Sequence, residues 1–246
     1  MEGIILTTNI YEKSFRSFLS SLDNDFFLIE SKYIRKKIIS INNLDPNSLD
    51  ELLRLKNQVQ ETFPEVDFIF SGDYKEKCSD LFRIKLSEGD ISYLYSIHNY
   101  TSLCLGIESG LDFVLTIGAD CKLSSLSIDS YINQSIEEIK KDPFILSTTL
   151  PWDENFEDIG RHEENVYPID HKSEFFYLSK VMSDQIFLCS SERILSVVDF
   201  NIDEILHPYP AYGHGGFENR LCNFMIKNNY LRGISKGEIY YKHKSY

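Results

Sequence analysis

Phe-Val-Leu-Thr-Ile-Gly-Ala-Asp-Cys-Lys, residues 113–122, is the segment on which the fold class turns. Residues 113–117 are apolar or β-branched without a break, as a buried strand requires, and the run halts at Gly118-Ala119-Asp120. One carboxylate, Asp120, is thereby delivered at the carboxyl end of a strand. An acid in that place either serves a ligand in the crevice beyond the strand or caps a turn.

Toward the amino terminus, residues 93–109 carry apolar side chains at helical spacing and stop at Gly110. Before them, residues 66–70 read as a buried strand ending in the turn Ser71-Gly72-Asp73. Asp45-Pro46 and the Ser48-to-Glu51 capping spacing open a helix that Leu49, Leu52, Leu53, Leu55, Val59 and Phe63 continue to Pro64. Residues 38–41 read as a short strand, residues 25–30 as another through Phe26, Phe27, Leu28 and Ile29, residues 11–22 as a helix and residues 3–8 as the first strand. Toward the carboxyl terminus the spacing predicts a helix over 128–140, stopped by Asp142-Pro143, and a strand over 145–150. A long acidic loop over 151–173 follows, then a strand over 185–190, a helix over 191–198, a turn-rich segment over 207–216, a helix over 217–228 and a strand pair ending at 240–243. Strands alternating with helices predict an α/β domain with a mainly parallel sheet flanked by helices, whose ligand crevice lies beyond the carboxyl ends of the strands.

The chain has 246 residues, 42% hydrophobic and 26% charged, enough for a substantial core, and a single domain over 1–246 is expected. No apolar run reaches the length of about eighteen residues that spans a bilayer, and residues 1–9 lack the pattern of a secretion signal, so a cytoplasmic protein is expected. The five cysteines form no CxxC pair and read as reduced thiols. Lys and Arg number 25 against 38 Asp and Glu, a formal charge of −13 that disfavours nucleic acid as a partner. The basic run over 32–37 reads as a solvated edge or turn beside a strand, with peripheral contact to an anionic membrane as the lesser alternative.

A second constellation is Tyr-Gly-His-Gly-Gly-Phe-Glu-Asn-Arg-Leu, residues 212–221, followed by Asn229-Tyr230 and by Ile-Tyr-Tyr-Lys-His, residues 239–243. Glu218 falls in the first turn of a helix, on the face of Leu221, Cys222 and Met225, and so points toward the body of the protein. A first-turn Glu also complements the helix dipole without any catalytic role. Together with residues 113–122, the Gly110 turn and Asn99 in the preceding helix, this constellation resembles the GT-A glycosyltransferases, in particular galactosyl- and N-acetylgalactosaminyl-transferase-like members.

The resemblance implies a nucleotide-sugar donor, uridine-linked, and a glycan or glycolipid acceptor, with residues 1–125 as the donor half and 126–246 as the smaller acceptor half. It makes Asp120 the remaining acid of a DxD motif whose first acid is here Gly118. Asp120 and His243 would ligate Mn2+ or Mg2+, and Glu218 would be the acceptor-side base. Phe217, between the glycines and Glu218, departs from the commonest form of the motif. Thr7 and Asn9 at the end of the first strand, Glu30 at the end of the second, Asp73 beyond the next, and Asn99 would meet the donor. Gly215 and Gly216 let the backbone approach a sugar, and Trp152 with Asp153 offers an acceptor platform, though a packing role for Trp152 stands equally open. His98 reads as a core or capping histidine, and His162, Glu163 and Glu164 as solvated. Two rival functions remain. A nucleotidyltransferase is disfavoured because residues 7–13 contain no glycine. A non-catalytic carbohydrate-binding scaffold is favoured by Gly118 and opposed by Glu218 and His243. The transferase reading requires positions 120, 218 and 243 to meet at one crevice.

Overall fold

Ile4, Leu6 and Ile10 bury on one side of the first strand and Ile5 and Thr7 on the other, so β1 (Ile4–Ile10) suits the middle of a sheet covered on both faces. The computed structural model describes residues 2–84, 91–152, 172–180, 185–201 and 216–243, of which 91–96 and 243 are described by their backbone alone. Among these, β1 lies beside β2 (Ile34–Ile41) and β4 (Phe113–Ile117), and β3 (Val66–Phe70) flanks β2, all parallel. Beyond β4 the sheet becomes mixed. β8 (Ile186–Cys189) runs antiparallel between β4 and β6 (Ile145–Thr149), β9 (Leu231–Ser235) is parallel to β6, and β7 (Phe176–Ser179) closes the edge antiparallel to β9. The eight-stranded order is β3-β2-β1-β4-β8-β6-β9-β7. A separate ribbon pairs β5 (Cys121–Leu123) with β10 (Tyr241–His243).

One face of the sheet packs under α1 (Phe15–Ser20), α2 (Asp25–Leu28), α3 (Leu49–Thr62) and α6 (Asp129–Lys141). The other packs under α4 (Lys75–Phe82), α5 (Ile91–Ser109), α7 (Ser191–Val197) and α8 (Phe217–Asn228). The α/β sandwich expected from the alternation of elements is therefore present, parallel through its first four strands.

Three expectations are corrected. Residues 25–28 are helical: Asn24 accepts from the Phe26 amide at 3.1 Å as an N-cap, and Phe27 stacks on Phe63 at 5.1 Å between ring centroids. A short apolar run fits a buried helical turn as well as a strand, and the cap decides it. The second strand instead starts at Ile34 and contains most of the basic run. Its neighbour β3 begins pairing only at Lys37, which leaves Arg35 and Lys36 beside an open edge; Lys36 pairs with Asp67 at 2.9 Å. Lys37 is buried, donates to the Phe27 carbonyl at 2.6 Å, and has its pKa lowered chiefly by desolvation. Finally, the last strands do not pair with each other: β9 enters the main sheet, and β10 returns to β5.

Helix α5 crosses β4 closely because Gly106 offers no side chain. A Cβ there would stand 2.6 Å from Val114 Cγ2 and would press on the Ser191 hydroxyl of α7. Alanine gains roughly 1 kcal/mol of helix propensity, but overpacking costs about 1–3 kcal/mol. Gly106→Ala is therefore expected to lower the urea unfolding midpoint, the reverse of its effect in an exposed helix.

Candidate functional site at the carboxyl edge of the sheet

β1, β2, β3 and β4 are parallel and end on one edge, at Ile10, Ile41, Phe70 and Ile117. β6 shares their direction, since both it and β4 oppose β8, so Trp152, just past β6, lies at the same edge. α8 leads into β9, which is parallel to β6, and must run back down the sheet; its first turn, with Gly216 as N-cap and Glu218, also opens there. Phe217 anchors that turn, lying 5.1 Å from the Tyr100 ring and stacked on Phe187 at 5.9 Å. Phe187 is level with Thr116, one residue before the end of β4. Asp120 and Glu218 therefore occupy the same edge of the molecule.

Asn9 pairs with Ser40 of β2 near the end of β1, two residues past Thr7, where pairing of β1 with β4 stops. Asn42 follows β2, donates its amide to the Ile10 carbonyl at 2.8 Å, and lines a cavity of about 370 Å³ with Asn43, Asp45, Gly72 and Asp73. Asp73 thus stands where the sequence placed it, on an exposed turn past β3. A second cavity, of about 300 Å³, opens beside Ala119 and is lined by Ser17, Asn24, Asp25 and Lys122. Asp25 holds its rim by accepting from the Leu123 amide at 2.6 Å.

The turn after β4 shows why position 118 is a glycine. The Gly118 amide donates to the Gln185 carbonyl at 2.6 Å. A Cβ on Gly118 would stand 2.9 Å from both Asp120 Oδ1 and Gln185 Oε1, and 3.2 Å from Cys121 Sγ. Positive φ among the described glycines occurs only at Gly110, so residue 118 is small for room, not for backbone conformation. The β5–β10 ribbon puts the backbone of His243 opposite Cys121, next to Asp120. It also holds Trp152, which bridges to Tyr241; the Tyr241 amide donates to the Pro151 carbonyl at 3.0 Å.

Two expected donor residues do not belong to this edge. Thr7 is interior to β1, which extends three residues past it; it is buried, and its hydroxyl is 3.0 Å from those of Thr116 and Ser102. Glu30 ends no strand. It lies between α2 and Ile34, which pairs with Ile4 at the opposite, amino-terminal edge. The polar group that does follow the second strand is Asn42-Asn43, and the turn-forming run Asn42-Asn43-Leu44-Asp45-Pro46 was the available signal for it. Asn99 is fully buried in α5, one residue before Tyr100 of the aromatic cluster. Asp153, Gly215 and the His162-Glu163-Glu164 run lie outside the described residues, as does the side chain of His243.

No group of three or more His, Cys, Asp and Glu able to hold a metal occurs among the described residues. The oxygens that converge over Gly118, one carboxylate and one carboxamide, form a cradle that a Cβ would fill, and both are hard ligands suited to Mg2+ or Mn2+. The residues present fit such a cation.

His98, in α5, is buried, and its Nδ1 has no hydrogen-bond partner among the described residues; burial lowers its pKa from 6.5 to about 4. Between those values the unfolded chain takes up a proton that the folded chain refuses. Stability is therefore complete above pH 6.5 and falls as the pH drops toward 4, by about 3 kcal/mol in total. Urea unfolding at pH 7 and pH 4.5 is expected to show this loss in the natural chain and its reduction in His98→Leu.

No family model and no curated protein matches the chain. Among solved structures, a crystal structure of GalNAc-T7 with UDP, GalNAc and Mn2+ is similar over 100% of this chain, with a TM-score of 0.58 and 11% identity. The chain spans 44% of the length of that protein. Mouse xyloside xylosyltransferase 1 is matched over 95% of this chain and 84% of its own, with a TM-score of 0.49 and 11% identity. Residues 1–349 of Staphylococcus aureus TarS are matched over 98% of this chain and 60% of their own, with a TM-score of 0.49 and 10% identity. At 11% identity the likeness to GalNAc-T7 is one of fold, and the fold is GT-A.

Proposed function

We propose that this chain, on its GT-A fold, is a glycosyltransferase that moves a hexose or N-acetylhexosamine from a uridine-linked nucleotide sugar to a hydroxyl of a glycan or glycolipid. The observation that carries the reading is the gathering of Asp120, the Asn42–Asp73 cavity and the first turn of α8 at one sheet edge. The cavity offers two carboxamides and two carboxylates that would hydrogen-bond a base and ribose hydroxyls. The chain carries a formal charge of −13, and Asp45, Asp73, Asp120 and Glu218 add anions at this edge, so a bound diphosphate calls for a cation. Asp120, with His243 brought beside it by the β5–β10 ribbon, would hold Mn2+ or Mg2+. When bound, that cation neutralises charge on the departing diphosphate.

The chemistry assigned to the chain is proton removal. In an inverting transfer, a carboxylate oxygen of Glu218 takes the proton of the acceptor hydroxyl as its oxygen bonds to the anomeric carbon. The bond from that carbon to the diphosphate oxygen breaks, and its electron pair leaves with the diphosphate. Trp152, exposed at the same edge, offers an aromatic face to the acceptor, and Gly216 lets the backbone approach it. The assignment of 1–125 to the donor and 126–246 to the acceptor, and a cytoplasmic location, belong to the same proposal; no helix among the described residues is long and apolar enough to cross a membrane.

The test is release of UDP from UDP-glucose, UDP-galactose, UDP-N-acetylglucosamine and UDP-N-acetylgalactosamine, with Mn2+ and with a chelator, beside calorimetric titration of UDP. Metal-linked binding and slow hydrolysis are expected for at least one donor. Binding without hydrolysis or transfer would favour the scaffold, and neither binding nor hydrolysis would sink the proposal.

A further inference from the structure

We infer that Gln185, immediately before β8, supplies an oxygen to the cation beside Asp120 and so takes the place of the acid absent at position 118. The inference rests on the donor-site reading above and adds a residue from a different strand to it. Asp120 Oδ1 and Gln185 Oε1 both stand 2.9 Å from the point where a Cβ of residue 118 would sit, hence no more than twice that distance apart. Cys121 Sγ lies 3.9 Å from that Asp120 oxygen and 3.7 Å from that Gln185 oxygen, so its thiol faces the same spot. The backbone bond from the Gly118 amide to the Gln185 carbonyl fixes the register that brings the two side chains together. An acid at 118 would have to displace both oxygens, which is why the missing acid and the added carboxamide belong together. A neutral carboxamide oxygen is a hard ligand of the kind Mg2+ and Mn2+ accept, and water fills the positions the protein leaves.

The experiment is titration of the whole chain with Mn2+, with and without UDP, followed by the paramagnetic resonance signal of free Mn2+, which requires no turnover. Gln185→Ala and Gln185→Asn are expected to weaken Mn2+ binding by at least about 10-fold. Asn keeps the amide and withdraws the oxygen by one methylene, which guards against a folding defect in the alanine variant. Gln185→Glu is expected to bind Mn2+ more tightly than the natural chain. Natural affinity in both the Ala and Asn variants, or no tightening in Glu, overturns the role of Gln185 while leaving the donor site intact. A natural chain that holds no Mn2+ even with UDP overturns the metal-dependent reading and this inference together.

Discussion

Glu218→Gln is expected to lower kcat for sugar transfer by about 10²–10⁴-fold, the usual span for removing a general base, while leaving donor KM and UDP binding near their natural values. Gln keeps the size and most of the hydrogen bonding of Glu but cannot take up the acceptor proton. The first turn of α8 is anchored by Phe217 in its aromatic cluster, which the substitution leaves in place. Loss of the dipole contribution of a first-turn acid costs only about 0.3–1 kcal/mol of stability. The measurement is transfer rate with saturating donor and varied acceptor, beside thermal unfolding. A variant that transfers at the natural rate removes Glu218 from the chemistry and returns it to the role of a helix-capping charge.

Asp120→Ala is expected to abolish Mn2+-linked UDP binding and to lower kcat/KM by at least about 10²-fold, the scale on which a single charge-stabilising group acts at a reacting centre. The effect differs in kind from that of Glu218→Gln. Removing Asp120 disables binding, so calorimetry detects it without an acceptor, whereas Glu218→Gln appears only in turnover. The comparison also separates enzyme from scaffold: a scaffold loses nothing in turnover from either change.

The sheet and its carboxyl edge were legible in the sequence where the chain repeats itself physically. Residues 113–117 run without polar interruption, the helix over 49–62 has a proline entry and an apolar stripe, and 217–228 reads as a helix to the residue. Prediction failed where one local pattern served two structures. Residues 25–28 are short and apolar, which suits strand or helix, and only the Asn24 cap and the aromatic neighbours Phe18 and Phe63 choose the helix. The strand over 25–30 puts Glu30 at a strand end, whereas the short strand over 38–41 is the last part of β2 and leads directly to Asn42. Thr7 lies inside β1 for a related reason: strand length depends on partners, and β2 pairs with β1 as far as Ile10. Gln185 carried no signal at all, because its significance arises from an antiparallel register with residues nearly seventy positions earlier in the chain.

The return of β10 to β5 closes a loop from Cys121 to His243. Long closures cost entropy before their contacts form, so this ribbon is a late event in folding. During synthesis the four parallel strands can assemble as soon as β4 emerges, and the Gly118 turn can bond Gln185 once β8 follows, yet the β5 segment next to Asp120 gains its only strand partner among the described residues when the residues of β10 have left the ribosome. On the proposed reading, the ribbon that sets His243 opposite Cys121 thus forms after the Asn42–Asp73 cavity, so the two parts of the donor site would be completed at different times.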